Sequence, residues 1–322
     1  MKKTWIMMLV VIATLFVLTG CEEEFPASPS EPSKPSEPAR ASDLEIVTLI
    51  SDEWKQTDKA FALANPAARE TCAVECHDGA AFSTGEFIPG NHFTGIDCQA
   101  CHAGKGKELM ETGVAKVPFM AEPVKVGEAA ACVSCHHGRR DTAAAFQTYA
   151  DGKATGFTYP HYGAYALVSG EGGMEYPDIT YATSTLHANL DCISCHMPEI
   201  DGYVSHTFKP DPNASCASCH PGLKDFNFNS GQDKIKTMLD EVEKAILEST
   251  KTVFVGSAHG SLVFQKADGT ELTPQEVPIE AYVAAYNWYM IKGDGSYGVH
   301  NPQYAKSLLQ ESYKKLTGKE LQ

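Results

Sequence analysis

The strongest constraint on this chain of 322 residues is a pattern that occurs five times. It consists of two cysteines separated by two or three residues, with a histidine directly after the second. The five triplets are Cys72, Cys76 and His77; Cys98, Cys101 and His102; Cys132, Cys135 and His136; Cys192, Cys195 and His196; and Cys216, Cys219 and His220. With 12 histidines in the chain, a histidine after every pair would arise by chance with a probability on the order of one in ten million. The five triplets are therefore five copies of one kind of site.

Two chemistries use such cysteine pairs. The two thiols can add across the vinyl groups of haem, and the adjacent imidazole then ligates the iron. Paired cysteines two residues apart also form half of a tetrahedral zinc site, which is the alternative. The histidine after every pair favours haem, so we predict five covalently attached haems c. The first triplet has three intervening residues instead of two, and we expect it to bind haem less readily.

The one cysteine outside the triplets, Cys21, follows a basic start at Lys2 and Lys3 and an apolar stretch over residues 5–18. The sequence Leu-Thr-Gly-Cys at its end resembles a lipobox, so residues 1–20 are predicted to be a lipoprotein signal peptide and Cys21 its acylated cysteine. The alternative is an uncleaved membrane-spanning helix, for which the apolar run is short. Export agrees with haem attachment, which takes place outside the cytoplasm.

Three regions follow from composition. After the signal peptide, residues 21–43 hold the acylated cysteine and a segment rich in Pro, Ser and Glu, which predicts a disordered linker. Residues 44–322 are predicted to form one compact pentahaem domain, because the haems supply much of its core. The residue after the acylated cysteine is Glu22, not the aspartate associated with inner-membrane retention, so an outer membrane or the cell surface is preferred.

The charge balance is acidic, with 26 basic and 41 acidic residues and a formal net charge of −15. Nucleic acid is excluded as a partner, because its recognition needs a basic patch and none is evident. The acidity is also compatible with simple solubility or with steering toward a basic redox partner.

The expected fold is mainly α with little regular structure, a haem-stack core and C-terminal helices. Apolar periodicity predicts helices over residues 232–249, 278–293 and 302–317, the last two opened by a proline. A hairpin is expected from residues 253–263 and 265–272, with Asp268 and Gly269 at its turn.

Seven histidines remain as candidates for the second axial ligand of each iron. We predict that five of them are distal ligands: His92, His161, His187, His206 and His300. Two lie shortly before a cysteine pair, and His161 lies in an aromatic, glycine-rich run suited to packing on a porphyrin. His137 and His259 are less favoured.

A family resemblance covers about residues 157–322. The run from His161 through Gly172-Gly173, Glu175-Tyr176, His187, the triplet with Met197-Pro198 after it, and His206 resembles the later haem region of ammonia-forming cytochrome c nitrite reductases and their octahaem relatives. Residues 298–302, Gly-Val-His-Asn-Pro, resemble the C-terminal segment of the same superfamily. The resemblance implies that His187, His206 and His300 are distal ligands. Those reductases also carry a haem motif that ends in lysine, whereas all five motifs here end in histidine.

Catalysis at haem requires a vacant coordination position, and the surplus of histidines does not indicate one. The sequence therefore favours an electron-transfer protein that exchanges electrons with redox partners, such as other cytochromes or a quinol-oxidising complex. One alternative is a reductase of nitrite, hydroxylamine or a sulfur oxyanion, with an open haem at His77 or His136 and an anion held by Arg139 and Arg140. For those arginines, ion pairs with haem propionates are the favoured role. Another alternative is a protomer of a homo-oligomeric haem wire.

The lipid anchor gives the first testable prediction. Replacing Cys21 with serine removes the acylation site, so the protein should move from the membrane fraction to the soluble fraction, as measured by immunoblotting of fractionated cells. Persistence in the membrane fraction would instead indicate an uncleaved N-terminal helix.

Overall fold

The computed structural model of the protein describes residues 42–90, 93–161, 163–189 and 191–321. The predicted signal peptide, Cys21, most of the linker and His92 lie outside these described residues. Within them, the chain forms one compact unit, and every helix falls short of the length and apolarity needed to cross a bilayer.

Short helices separated by turns make up the part of the chain that carries the five triplets. They are α1 (Asp43–Lys55), α2 (Ala64–Ala67), α3 (Glu70–Cys72), α4 (Gly79–Thr84), α5 (Cys98–His102), α6 (Gly104–Thr112), α7 (Ala130–Val133), α8 (Thr142–Ala150), α9 (Ala164–Ser169), α10 (Thr185–Ala188) and α11 (Cys192–His196). The 13-residue α1, which begins with a capping box made by Ser42 and Glu45, was not predicted from the sequence.

Three long helices follow the last triplet: α12 (Gly231–Thr250), α13 (Ile279–Asp294) and α14 (Pro302–Thr317). They agree with the three predicted helices, except that α13 runs through Gly293 to Asp294 and ends at Gly295. Gly295 has a φ of 74°, and the left-handed conformation that stops the helix is one that glycine adopts at little cost.

The strands form three antiparallel pairs: β1 (Val114–Ala115) with β2 (Val124–Lys125), β3 (Glu199–Ile200) with β4 (Tyr203–Val204), and β5 (Phe254–Ala258) with β6 (Ser261–Gln265). The region of the predicted hairpin contains two turns. The predicted turn at Asp268 and Gly269 is present: Gly269 N donates to Lys266 O at 3.0 Å, and Lys266 N to Thr270 O and Leu272 N to Phe264 O, both at 2.8 Å, pair the chain on either side of it. Ahead of it, the β5–β6 ladder reverses at His259 and Gly260, both with positive φ. A two-residue turn with positive φ at both positions matches the twist of a hairpin.

The large apolar side chains are concentrated in the C-terminal part. The main core joins α12, α13, α14 and the β5–β6 hairpin to the segment before α10, and its fully buried members include Tyr282, Tyr304 and Phe264. In the part before residue 135, by contrast, the buried apolar residues are mostly alanines. Alanine offers little apolar area, so this part cannot form a large core from side chains alone.

The segment that precedes the fourth triplet is fixed to the helices through Asn287, a fully buried residue of α13. Its Oδ1 accepts a hydrogen bond from Met174 N at 2.8 Å, and its Nδ2 donates to Met174 O at 2.9 Å and to Ser312 Oγ at 3.1 Å. The amide thus pairs with both backbone polar groups of a buried residue.

Replacing Asn287 with alanine should lower the free energy of unfolding by about 2–4 kcal/mol, because it leaves buried backbone groups without partners. Urea denaturation followed by far-ultraviolet circular dichroism measures the loss. Gln147→Ala, on the exposed side of α8, should change the value by less than about 0.5 kcal/mol. Equal stability of the two variants would contradict the role of Asn287.

Candidate haem-binding sites

Four of the triplet histidines face a second histidine from a distant part of the chain. The ring centroids are 6.0 Å apart for His77 and His161, 6.3 Å for His102 and His206, 6.0 Å for His196 and His300, and 6.3 Å for His220 and His187. All four partners are among the histidines that the sequence suggested as distal ligands. The structure also assigns each partner to a triplet, which the sequence did not.

The spacing of the rings fits a metal held between two imidazoles. A metal–imidazole bond is about 2 Å long, and each ring nitrogen lies about 1 Å from its ring centre, so two imidazoles on opposite sides of an iron have centroids about 6 Å apart. A tetrahedral zinc site would need further ligands, and the described residues contain no group of three or more His, Cys, Asp and Glu side chains arranged to hold a metal ion. The paired rings therefore fit haem.

Hydrogen bonds at Nδ1 hold several of these rings in place. The partners are Val299 O for His187 at 2.6 Å, Phe208 O for His196 at 3.0 Å, Val204 O for His206 at 2.8 Å, Tyr159 Oη for His161 at 2.6 Å and Asp294 Oδ1 for His300 at 2.7 Å. A ring that donates from Nδ1 to a carbonyl or carboxylate keeps Nε2 unprotonated and free to ligate a metal.

The irregular first triplet lies on a π-helical turn. Helix α3 ends at Cys72 and the chain continues as a π turn over Ala73–His77, closed by a hydrogen bond from Asp78 N to Ala73 O at 3.3 Å. A π turn takes one more residue per turn than an α-helix. The π turn therefore accommodates the additional residue between Cys72 and Cys76.

An aspartate before the cysteines starts the helix of two triplets. Asp97 accepts hydrogen bonds from Gln99 N and Ala100 N at the start of α5, and Asp191 accepts one from Ser194 N at the start of α11. These N-caps satisfy amides that the first turn of a helix leaves unpaired. The cap is visible in the sequence as Asp-Cys, a signal that the sequence analysis did not use.

The triplets contact one another in a continuous series. Cys76 Sγ lies 3.8 Å from Ser134 O of the third triplet, and Cys135 Sγ lies 3.7 Å from Glu75 O of the first. The thiols of Cys132 and Cys192 are within hydrogen-bonding reach, which joins the third triplet to the fourth.

The fourth triplet is joined to the fifth by a hydrogen bond from Ser215 Oγ to Cys195 O at 2.7 Å. The second triplet lies close enough to the third for Cys132 to raise the pKa of the Cys101 thiol, although burial is the larger cause. The third triplet is thus the centre of the series.

Burial keeps several of the ligand candidates neutral. It lowers the pKa of His77, and the charge of Arg139 adds to the effect. It also lowers the pKa of His161 to about 4 and that of His136 to about 4. Because an imidazole must be deprotonated at the coordinating nitrogen to bind a metal, these histidines are in the form that iron requires.

Several cations lie among the triplets. Arg139 and Arg69 are close enough to His77 and His161 to add to the effect of burial in lowering the pKa of both, and Nη2 of Arg139 lies 3.8 Å from Glu75 Oε2. Lys59, which the sequence analysis missed, acts in the same way on His136 and His196. Cationic side chains at these places suit the propionates that haem carries.

Two of the candidate residues lie away from the paired histidines. Arg140 influences the phenols of Tyr282 and Tyr286 on α13, and His259 occupies the β5–β6 turn. His137 lies near the first site, where it adds to the effect of burial in lowering the pKa of His161, and its ring contacts the carbonyl of Gly138.

Helix α1 supports one of the paired histidines. The carboxylate of Glu53 accepts hydrogen bonds from Tyr203 Oη at 2.8 Å, Ser205 Oγ at 3.2 Å and His206 N at 2.6 Å. Trp54 Nε1 donates to Ile96 O at 2.8 Å, just before the second triplet. Helix α1 therefore joins both sides of the His102–His206 pair, a role that no local sequence signal indicates.

The fold is similar to that of a protein of known structure. The solved structure of the outer cell wall cytochrome OcwA is similar, with a TM-score of 0.52 and 24% sequence identity over 82% of this chain and 50% of that chain. The chain thus spans about half the length of that cytochrome. No curated protein matches the chain. The fold is mainly α, as predicted, and is similar to that of this cytochrome.

The family resemblance is confirmed over the C-terminal part. Residues 174–322 match the model of the cytochrome c552 family, within the region that resembles the nitrite reductases. Cytochromes of this class bind haem c covalently, which the facing imidazoles and paired cysteines fit.

The number of haems is testable by mass spectrometry of the intact purified protein, which should show five covalently bound haems. Replacing Cys72 and Cys76 with alanine should remove one haem, because the π turn presents both thiols to it. Replacing Cys98 and Cys101 with alanine, in a regular triplet, serves as the matched control and should also remove one. A wild-type mass with four haems, unchanged by the first double substitution, would show that the irregular triplet is not loaded.

Proposed function

We propose that the protein is an electron-transfer protein with five haems c, each ligated by two histidines. The observation that carries this proposal is the set of four facing imidazole pairs, His77–His161, His102–His206, His196–His300 and His220–His187. The triplet histidines provide the proximal ligands and their partners the distal ones. For the remaining triplet histidine, His136, the sequence offers His92 as the partner.

Haem c supplies an iron that cycles between the ferric and ferrous states. The residues of this chain contribute what electron transfer requires: two strong ligands at each paired site, which leave no position for substrate, and rings fixed by Nδ1 hydrogen bonds so that ligation changes little between oxidation states. The contact series from the first triplet through the third and fourth to the fifth supports a continuous electron path.

The location of this function is part of the proposal. The lipobox-like sequence at Cys21 favours a lipid-anchored protein outside the cytoplasm, with the linker of residues 21–43 between anchor and domain. The similar cytochrome OcwA is described as an outer cell wall protein, which supports the same side of the membrane. Redox partner proteins would supply and remove the electrons.

The test of this function is the ligation state. In the oxidised protein, electron paramagnetic resonance should show only low-spin ferric signals, the reduced protein should bind carbon monoxide poorly, and nitrite or hydroxylamine should be turned over slowly with a reduced dye. His206→Ala should add one high-spin haem that binds carbon monoxide, whereas His259→Asn, in the β5–β6 turn, should leave the spectrum unchanged.

A high-spin signal in the wild-type protein together with rapid nitrite reduction would overturn this proposal in favour of a reductase. No new high-spin signal in His206→Ala would show that His206 is not an iron ligand.

A further inference from the structure

The ring of His300 is held by a carboxylate, unlike those of His161, His187, His196 and His206, which are held by neutral groups. Its Nδ1 lies 2.7 Å from Oδ1 of Asp294, a carboxylate whose side chain is 1% exposed. The second oxygen, Oδ2, accepts hydrogen bonds from the hydroxyl and, at 3.3 Å, the amide of Ser296. Among the ion pairs of the described residues, Asp294 has its contact with His300 and none with a lysine or arginine.

The position of this carboxylate is unfavourable unless a positive charge compensates it. Asp294 is the last residue of α13, where the helix dipole disfavours an anion. It is also buried, and a buried carboxylate without a cationic partner is costly. An iron ligated by His300 would supply that positive charge through the imidazole, because the hydrogen bond joins the carboxylate directly to the ligand.

The loop between α13 and α14 fixes this geometry. Gly295 and Gly298 both have positive φ, and a Cβ on Gly298 would lie 2.9 Å from Cγ1 of Ile235 on α12. On the other side of His300, the buried Asn301 caps α14 and accepts a hydrogen bond from Ser184 N at 2.8 Å. The carboxylate and the imidazole are therefore held together from both ends of the loop.

The comparison with the other rings indicates what the carboxylate does. His187, His196 and His206 use a backbone carbonyl at Nδ1, and His161 uses the hydroxyl of Tyr159. These groups are neutral. An anion at Nδ1 gives the imidazole more electron-donating character and favours ferric over ferrous iron.

We propose that Asp294 is a positioning residue that acts through His300 to make the haem between His196 and His300 the lowest-potential centre of the protein. The inference rests on the proposed ligation of that haem by both histidines. Since the fourth triplet contacts both the third and the fifth, this low-potential haem lies within the electron path. It is therefore the last haem to be reduced and the first to be oxidised.

The test is Asp294→Asn in the full-length protein loaded with five haems. The amide keeps the size of the side chain and an oxygen acceptor but removes the charge. In a potentiometric titration of the haem absorption bands, the lowest of the five potentials should rise, with about a tenfold change in that haem's ferric–ferrous equilibrium, which is about 59 mV for one electron. The matching low-spin signal should shift in electron paramagnetic resonance.

Two further variants distinguish the loss of the charge of Asp294 from a general effect of substitution on the potentials. Asp178→Asn removes an exposed carboxylate paired with Lys315 and should leave all five potentials unchanged. Ser296→Ala keeps the carboxylate but removes a hydroxyl that shares its charge, so the same potential should stay or fall. A rise in Ser296→Ala equal to that in Asp294→Asn, or an unchanged lowest potential in Asp294→Asn, would overturn the inference.

The ligation of His300 is tested separately. His300→Ala should add one high-spin haem. If it does not, the proposed ligation itself fails. If it does, and Asp294→Asn leaves the potentials unchanged, only the role of Asp294 is wrong.

Discussion

The structure depends on four pairs of facing imidazoles, each of which joins segments far apart in the chain. In the proposed ligation each pair holds one iron, so the four pairs would act as cross-links that the short helices around the triplets could not provide for themselves. The buried residues of the N-terminal part are mainly alanines, which leave room for a flat apolar cofactor instead of filling it. In this part of the protein, the proposed ligation and burial of haem would take the place of a side-chain core.

The C-terminal helices, by contrast, do not depend on a cofactor for their packing. Their large apolar residues form a core without a cofactor, and the loop between α13 and α14 extends from that core toward the haem sites. This loop serves two distal histidines at once: it contains His300, and its Val299 carbonyl accepts the Nδ1 hydrogen bond of His187. A rigid helical platform thus positions ligands for the fourth and fifth triplets.

The sequence predicted the features that are encoded locally. Short stretches of residues are enough to recognise the triplets, the C-terminal helices and the resemblance over the C-terminal part. The assignment of each distal histidine to a triplet was not, because His187 lies five residues before Cys192 yet faces His220 of the next triplet. The turn at Asp268-Gly269 was predicted because it is a strong local signal, whereas the turn at His259-Gly260 was not, because it is set by the packing of β5 and β6. The contact between Asp294 and His300 could not be recognised from the sequence either, because the loop between α13 and α14 must fold back to bring the two side chains together.

The attachment of helix α1 determines how force on the preceding chain would reach the domain. It is the first element after the predicted linker, it buries no residue of its own, and it is attached to the domain through Glu53 and Trp54. Tension on the chain ahead of it would pass through Glu53 into the backbone of His206 and through Trp54 into the segment before the second triplet. If the domain is anchored through the linker as proposed, force on the anchor would thus reach the proposed iron ligand His206.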